Sequence, residues 1–388
     1  MRFRVGIMCH PSVGGSARVA INLAAQLGYR GHDVHLFSRS KPFGMAENSP
    51  GMTFCALNGG TAGLAPADLD LGWSAEEIRR AARGLAHSIM ERSIQILHFH
   101  YAAPFALIAQ EARRILGASG PAIIGTLHGT DVTAQRDPAE QRALRQALRG
   151  FDAVTAVSAN HAEKAAAAFG LRRRPVTIPN FVDLEKFYPL SVRTPGRPRL
   201  AHVSNFREVK DPQRMSRIFL RVRRELDAEL WLVGDGAMMP DVQKTLAESS
   251  DTDHVRFLGL RRDVGPVIAD TDLLLLTSRE ESFSMATLEA AACAVPTVAP
   301  DVGGLPELVG AGGVLYDRFD DYAAVDAVLG LLRDPTRRQI MAQAALIQAA
   351  RFSADAVVPL YETLYRLVLA QRRSSSNGRI DTDAPCVR

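Results

Sequence analysis

The first half of the chain alternates short apolar, β-branched runs with longer stretches whose apolar residues recur at helical spacing. The runs Arg4 to Met8, Asp33 to Phe37, Ile94 to Phe99, Ala122 to Leu127 and Ala153 to Val157 read as strands. Between them, Ala17 to Tyr29, Ala75 to Glu91, Ala103 to Leu116, Ala139 to Leu148 and Asn160 to Phe169 read as helices. Nearly continuous apolar strands, each followed by an amphipathic helix, predict a parallel sheet covered on both faces. After Pro179 the segment NFVDLEKFYPLSVRTPGRPR loses this period and carries Pro, Arg and Gly, so 181–197 reads as an interdomain linker. The alternation then resumes. Strands are expected at Leu200 to Val203, Glu229 to Val233, Val255 to Leu258 and Asp272 to Leu276, with helices near Gln213 to Glu225, Met239 to Ala247 and Asp263 to Ala269. Beyond Asp320 the pattern is helical to Gln371, and the polar tail 372–388 is expected to be disordered.

The fold class is therefore α/β. Two Rossmann-like doubly wound domains, 1–180 and 198–350, are expected to face each other across a cleft, and the helical segment 351–371 to return to the first domain. Open sheets of this kind bind ligands beyond the C-terminal ends of their strands, which directs attention to the loops there.

A chain of 388 residues with 47% apolar, 23% charged and 6% aromatic residues suits two packed globular domains. The net charge of +4 comes from arginines spread along helical faces, such as Arg79, Arg80 and Arg83, without interleaved aromatics. That argues against a nucleic-acid partner. The cysteines Cys9, Cys55, Cys293 and Cys386 are scattered, with no disulfide or zinc spacing, as in a cytoplasmic protein. No apolar run has the length of a signal-peptide core or a membrane span, so no integral membrane contact is expected. A homodimer is compatible with the sequence.

Chemistry concentrates at strand ends. After the run LLLLT comes Arg279-Glu-Glu-Ser-Phe-Ser-Met-Ala-Thr-Leu-Glu289, which opens a helix to about Cys293. A helix N-terminus offers free N–H groups and partial positive charge, so the amides of Phe283, Ser284 and Met285 can bind a diphosphate. Glu289 can then hold a ribose diol and Glu281 hexose hydroxyls. The alternative is a pair of solvated carboxylates at a helix start. After LAHV, the loop Ser204-Asn-Phe-Arg207-Glu-Val-Lys210-Asp211 places two cations near each other, suited to charge developing on a departing diphosphate. Surface cations on a solvent-facing loop are the alternative. Gly14, Gly15 and Ser16 follow the first strand, where small residues allow backbone to approach a ligand. His98-Phe-His100-Tyr101 and His128-Gly-Thr130-Asp131 end two neighbouring strands. The Asp-x-Asp spacings Asp68/Asp70, Asp251/Asp253, Asp270/Asp272 and Asp381/Asp383 lie away from strand C-termini, so no catalytic metal is expected.

Together the segments GIMCHPSVGGS, RGHDVHLFS, HFHYAAP, TLHGTDVT, DAVTAVS, HVSNFREVKD, LVGDG, EESF…LEA and VGGLPELV resemble the retaining GT-B glycosyltransferases of the large family that includes sucrose synthase. Within it they are most similar to the branch that joins N-acetylglucosamine to L-malate. The resemblance implies that Arg207 and Lys210 grip a donor diphosphate, Glu289 its ribose, and Glu281 with the following amides the sugar. It further implies that Gly15, beside Gly14, approaches the phosphates, that His128 contacts the sugar next to the anomeric carbon, and that Ser16, Tyr101 and Thr130 meet a small polar acceptor. The co-substrate would be a nucleoside-diphosphate sugar, with no other cofactor, and displacement would occur on the front face without a protein nucleophile.

The chain departs from the malate branch at Ala17, Ser284 and Ala294, where that branch usually carries glycine. It also lacks the usual tyrosine- and proline-rich stretch between Glu47 and Trp73. These departures favour an acceptor altered from malate within the small-carboxylate class, and leave open a thiol-acceptor enzyme resembling the lincosamide-pathway transferase. From another class, a nucleotide-sugar epimerase on the same fold would need a catalytic carboxylate set in the N-terminal domain.

Overall fold

The computed structural model describes residues 2–12, 14–43, 45, 49–57, 73–134, 136–192, 194–249 and 252–376. The chain divides into two compact units. The first comprises Met1–Ala156, Ala162–Ile178 and Val358–Arg388, the second Val157–His161 and Pro179–Val357.

In the first unit the strands are β1 (Arg4–Met8), β2 (Asp33–Ser38), β3 (Met52–Ala56), β4 (Ile96–His100), β5 (Ala122–Leu127), β6 (Ala153–Ala156) and β7 (Val176–Thr177). They form one parallel sheet in the order β3-β2-β1-β4-β5-β6-β7. The order reverses between β1 and β4, and Gly14 to Ser16, Tyr101 and His128 all follow strands at or beside that point. Helix Ala75–Glu91 shows why such elements form. Ser74 and Glu77 make a reciprocal capping box at its start, and Ala81, Ala82, Leu85, Ala86 and Ile89 make one buried face at i, i+3/i+4 spacing. Burying Leu85 and Ile89 is worth about 2 kcal/mol each.

The second unit holds β8 (Arg199–Val203), β9 (Glu229–Val233), β10 (Val255–Gly259), β11 (Leu273–Leu275), β12 (Thr297–Pro300) and β13 (Gly313–Tyr316). They form a parallel sheet ordered β10-β9-β8-β11-β12-β13, whose reversal lies between β8 and β11. Lys210 follows β8 and Glu281 follows β11, so both flank the reversal. Residues read as linker are packed in this unit: Val182 and Phe187 belong to its core, and Val182 bridges Ser353.

The last helix, Ala354–Ser376, runs five residues past Gln371 into the stretch expected to be disordered. It is held there because Arg372 donates to the carbonyls of Gly120 and Pro121 and pairs with Asp152. The remainder of that tail lies outside the described residues, as do Asp68, Asp70, Asp251, Asp381, Asp383, Cys386 and most of 58–73. Among the described residues, no helix is long and apolar enough to cross a membrane.

Candidate functional site

Two side-chain clusters sit at the strand ends, one in each unit. In the first unit, β4 ends in His100 and β5 leads into His128, and these imidazoles meet at 2.9 Å between His100 Nδ1 and His128 Nε2. The loop after β5 is fixed from below by Asp131, which is fully buried and accepts the backbone N–H groups of Ala102, His128 and Gly129 at 3.3, 3.0 and 2.6 Å. A carboxylate collecting several amides in this way makes a rigid turn. Tyr101 and Thr130, the expected acceptor contacts, are joined hydroxyl to hydroxyl at 2.6 Å. Tyr101 has φ +89, an uncommon conformation for a residue with a side chain and one that is concentrated at functional sites. Gly15 opens helix Gly15–Tyr29 with Gly14 as its N-cap residue, so Gly14, Gly15 and Ser16 lie at a helix start directly beyond β1.

His98 belongs to the structure of the sheet. It is fully buried between the Tyr365 hydroxyl (2.8 Å) and Thr126 Oγ1 (2.7 Å), and burial pushes its pKa down to about 3. Burial also holds the His100 pKa well below the usual value for histidine.

In the second unit, Lys210 Nζ pairs with Glu281 Oε1 at 2.6 Å, and the Ser278 hydroxyl donates to the same oxygen at 2.9 Å. Glu281 is 6% and Glu289 1% exposed, so neither is a solvated carboxylate at a helix start. Lys210 is likewise not on an open solvent-facing loop, because its side chain retains 22% exposure against a buried partner. The short 3₁₀ turn Glu208–Lys210 is clamped from the β11 side: Thr277 Oγ1 bonds the carbonyls of Lys210 and Asp211, while Arg279 bonds Glu208 and Asp211. Arg207 lies against Asn205, whose amide, turned so that its oxygen faces the guanidinium, accepts from Nε at 2.8 Å and Nη2 at 3.0 Å. Helix Met285–Ala292 begins with Ser284, whose hydroxyl caps Thr287 N, and Phe283 is buried beneath it. The two departures from glycine here keep a left-handed backbone, with φ +81 at Ser284 and +57 at Ala294.

Two glycine pairs lie against these loops. A Cβ on Gly303 or Gly304 would fall 1.7 Å from the Glu281 carbonyl oxygen or 2.2 Å from that of Ser282. A Cβ on Gly234 or Gly236 would fall 1.8 Å from the Ser204 oxygen or 1.9 Å from that of Asn205. The loops carrying Glu281 and Arg207 thus rest directly on glycine backbone. Sequence reasoning missed Asn205, Thr277 and Ser278. The only signal for the glycines was their place in LVGDG and VGGLPELV.

Asp270 and Asp272 serve the fold, pairing with Arg199 and Arg338 respectively. Among the described residues, no group of three or more His, Cys, Asp or Glu side chains is arranged to hold a metal ion.

The model of Glycosyltransferase Family 4 matches residues 13–186, and that of Glycosyl transferases group 1 matches residues 197–334. The chain is 33% identical over 398 residues to the N-acetyl-alpha-D-glucosaminyl L-malate synthase of Bacillus anthracis, covering 98% of this chain and 100% of that enzyme. It is 31% identical over 274 residues to a GDP-mannose-dependent alpha-(1-6)-phosphatidylinositol monomannoside mannosyltransferase of Mycolicibacterium smegmatis, covering 65% of this chain and 71% of the relative. Among solved structures, the sucrose-phosphate synthase of Thermosynechococcus elongatus superposes with a TM-score of 0.81 at 20% identity, over 95% of this chain and all (100%) of that one. The Anabaena protein HepE, solved with UDP and glucose, gives 0.76 at 17% identity over 94% and 99% of the two chains. These likenesses bear on the fold, and they match the GT-B architecture expected from the sequence.

Proposed function

This chain belongs to the family 4 glycosyltransferases, and we propose that it moves a sugar from a nucleoside-diphosphate sugar to a small polar acceptor, with retention of configuration and without a metal. The observation that carries this reading is the pairing of Lys210 with the buried Glu281, beside Arg207 at the reversal point of the second sheet. Fixed cations there stabilise the charge that builds on a departing diphosphate, and they need no reorganisation as the bond breaks. Arg207 and Lys210 take the diphosphate together with the amides of Phe283, Ser284 and Met285. Glu289 takes the ribose and Glu281 the sugar hydroxyls. In the first unit Gly14 and Gly15 approach the phosphates, His128 lies beside the sugar, and Ser16, Tyr101 and Thr130 hold the acceptor.

In the transfer, the bond from the anomeric carbon to the phosphate oxygen breaks and the acceptor forms its bond on the same face. The leaving oxygen takes the acceptor's proton. The full-length likeness to the malate enzyme supports UDP-N-acetylglucosamine as the first donor to assay. The missing tyrosine- and proline-rich stretch supports an acceptor altered from malate but still a small carboxylate. Product mass after incubation with UDP-, GDP- and dTDP-sugars and a set of small carboxylates tests both parts. Efficient formation of glucosaminyl-malate would overturn the altered acceptor, and no transfer from any donor would overturn the whole reading.

A further inference from the structure

Building on the role given above to His128, we propose that His100 is a positioning residue that fixes His128 as its Nδ1-protonated tautomer, so that His128 offers the sugar an N–H donor. The ring nitrogens His100 Nδ1 and His128 Nε2 are 2.9 Å apart, with the rings stacked at 5.1 Å and 27°. One proton lies between them, and the question is which ring owns it. The other His100 nitrogen, Nε2, is buried and has no hydrogen-bond partner. If His128 owned the shared proton, neutral His100 would carry its own proton on Nε2, leaving a buried N–H without an acceptor. If His100 owns it, Nε2 is a bare lone pair, which is the more tolerable of the two unsatisfied groups. His128 Nε2 then accepts, and a neutral His128 must carry its proton on Nδ1.

The surroundings keep His100 neutral. His100 is fully buried, its ring lies 4.5 Å from that of His98, and burial depresses the basicity of both rings. A neutral N–H donor suits a position beside an anomeric carbon that gains positive charge in the transition state, where an imidazolium would repel it.

The test is a two-bond proton–nitrogen correlation spectrum of the full chain labelled with ¹⁵N-histidine, with His128 assigned by the signals that disappear in His128→Gln. We expect His128 to be Nδ1-protonated. His100→Asn keeps an N–H where Nδ1–H was, so the pattern should persist. In His100→Leu it should shift toward the Nε2-protonated form, with turnover about 10-fold lower, donor KM little changed, and most of the loss recovered in His100→Asn. An Nε2-protonated His128 in the unmodified protein would overturn the proposal whatever the variants do. So would a folded His100→Leu with undiminished turnover. The expected tautomer in a protein that transfers no sugar would instead overturn the functional reading, and the positioning role with it.

Discussion

Lys210 Nζ lies 2.6 Å from Glu281 Oε1, an oxygen that also accepts the Ser278 hydroxyl. The cation assigned to the diphosphate and the carboxylate assigned to the sugar thus neutralise each other before a donor arrives. Removing the lysine leaves a buried carboxylate with one neutral partner, so Lys210→Ala should lower unfolding free energy by about 1–3 kcal/mol. Arg207 rests on the neutral amide of Asn205 and not on a buried carboxylate, so Arg207→Ala should stay within about 0.5 kcal/mol. Urea unfolding of the two variants checks this, and equal losses would contradict the burial argument.

The glycine pairs give a second prediction. In Gly303→Ala or Gly234→Ala the new Cβ meets a backbone oxygen at 1.7 or 1.8 Å, so the loops carrying Glu281 or Arg207 must move. Donor KM should rise by about 10-fold or more, because a displacement near 1 Å is enough to lose the productive geometry. Gly330→Ala is the control. It lies within helix Asp321–Arg333 with its nearest atom at 3.7 Å, and should gain about 0.5–1 kcal/mol at unchanged activity. Steady-state kinetics on the three variants decides.

These glycines also show what could be read from the sequence. The strands flanking each reversal point were legible because each holds a short, mainly apolar run, and so were the loops that follow them. Missed were β3, half-exposed at the sheet edge, the two-residue β7, and β12 and β13, which are only four residues long each. Within the site the charged residues announced themselves by type. Ser278, Thr277 and Asn205 did not, since a serine, threonine or asparagine after a strand is an ordinary turn residue until its partner is known. The partners of the glycines are backbone oxygens of distant segments, which no local pattern encodes.

Stability should fall on mild acidification. Burial lowers the pKa of His98 to about 3 and of His202 to about 4, and holds that of His100 well below normal. Once unfolded, each regains a value of about 6.5. Below that pH the unfolded chain binds protons that the folded chain refuses. The stabilisation is complete above about pH 6.5 and is lost as pH falls toward the lowered values, at up to about 1.4 kcal/mol per pH unit for each histidine. A urea midpoint unchanged between about pH 7.5 and about pH 5 would contradict this.

Transfer should survive chelation, because Arg207, Lys210 and the start of helix Met285–Ala292 supply the neutralisation that a metal supplies elsewhere. Turnover measured in excess EDTA should match the untreated rate. Complete loss that is restored by a divalent cation would rule this out.

The Arg207 and Lys210 loop is proposed to drive departure of a nucleoside diphosphate. The most direct measurement of that role is acceptor-dependent release of that diphosphate from a panel of UDP-, GDP- and dTDP-sugars by the unmodified protein, Lys210→Ala and Arg207→Ala. Release is expected with at least one donor, depressed about 100-fold or more in both variants while they remain folded. Near-normal release in both variants, or none from any donor in the unmodified protein, would contradict it.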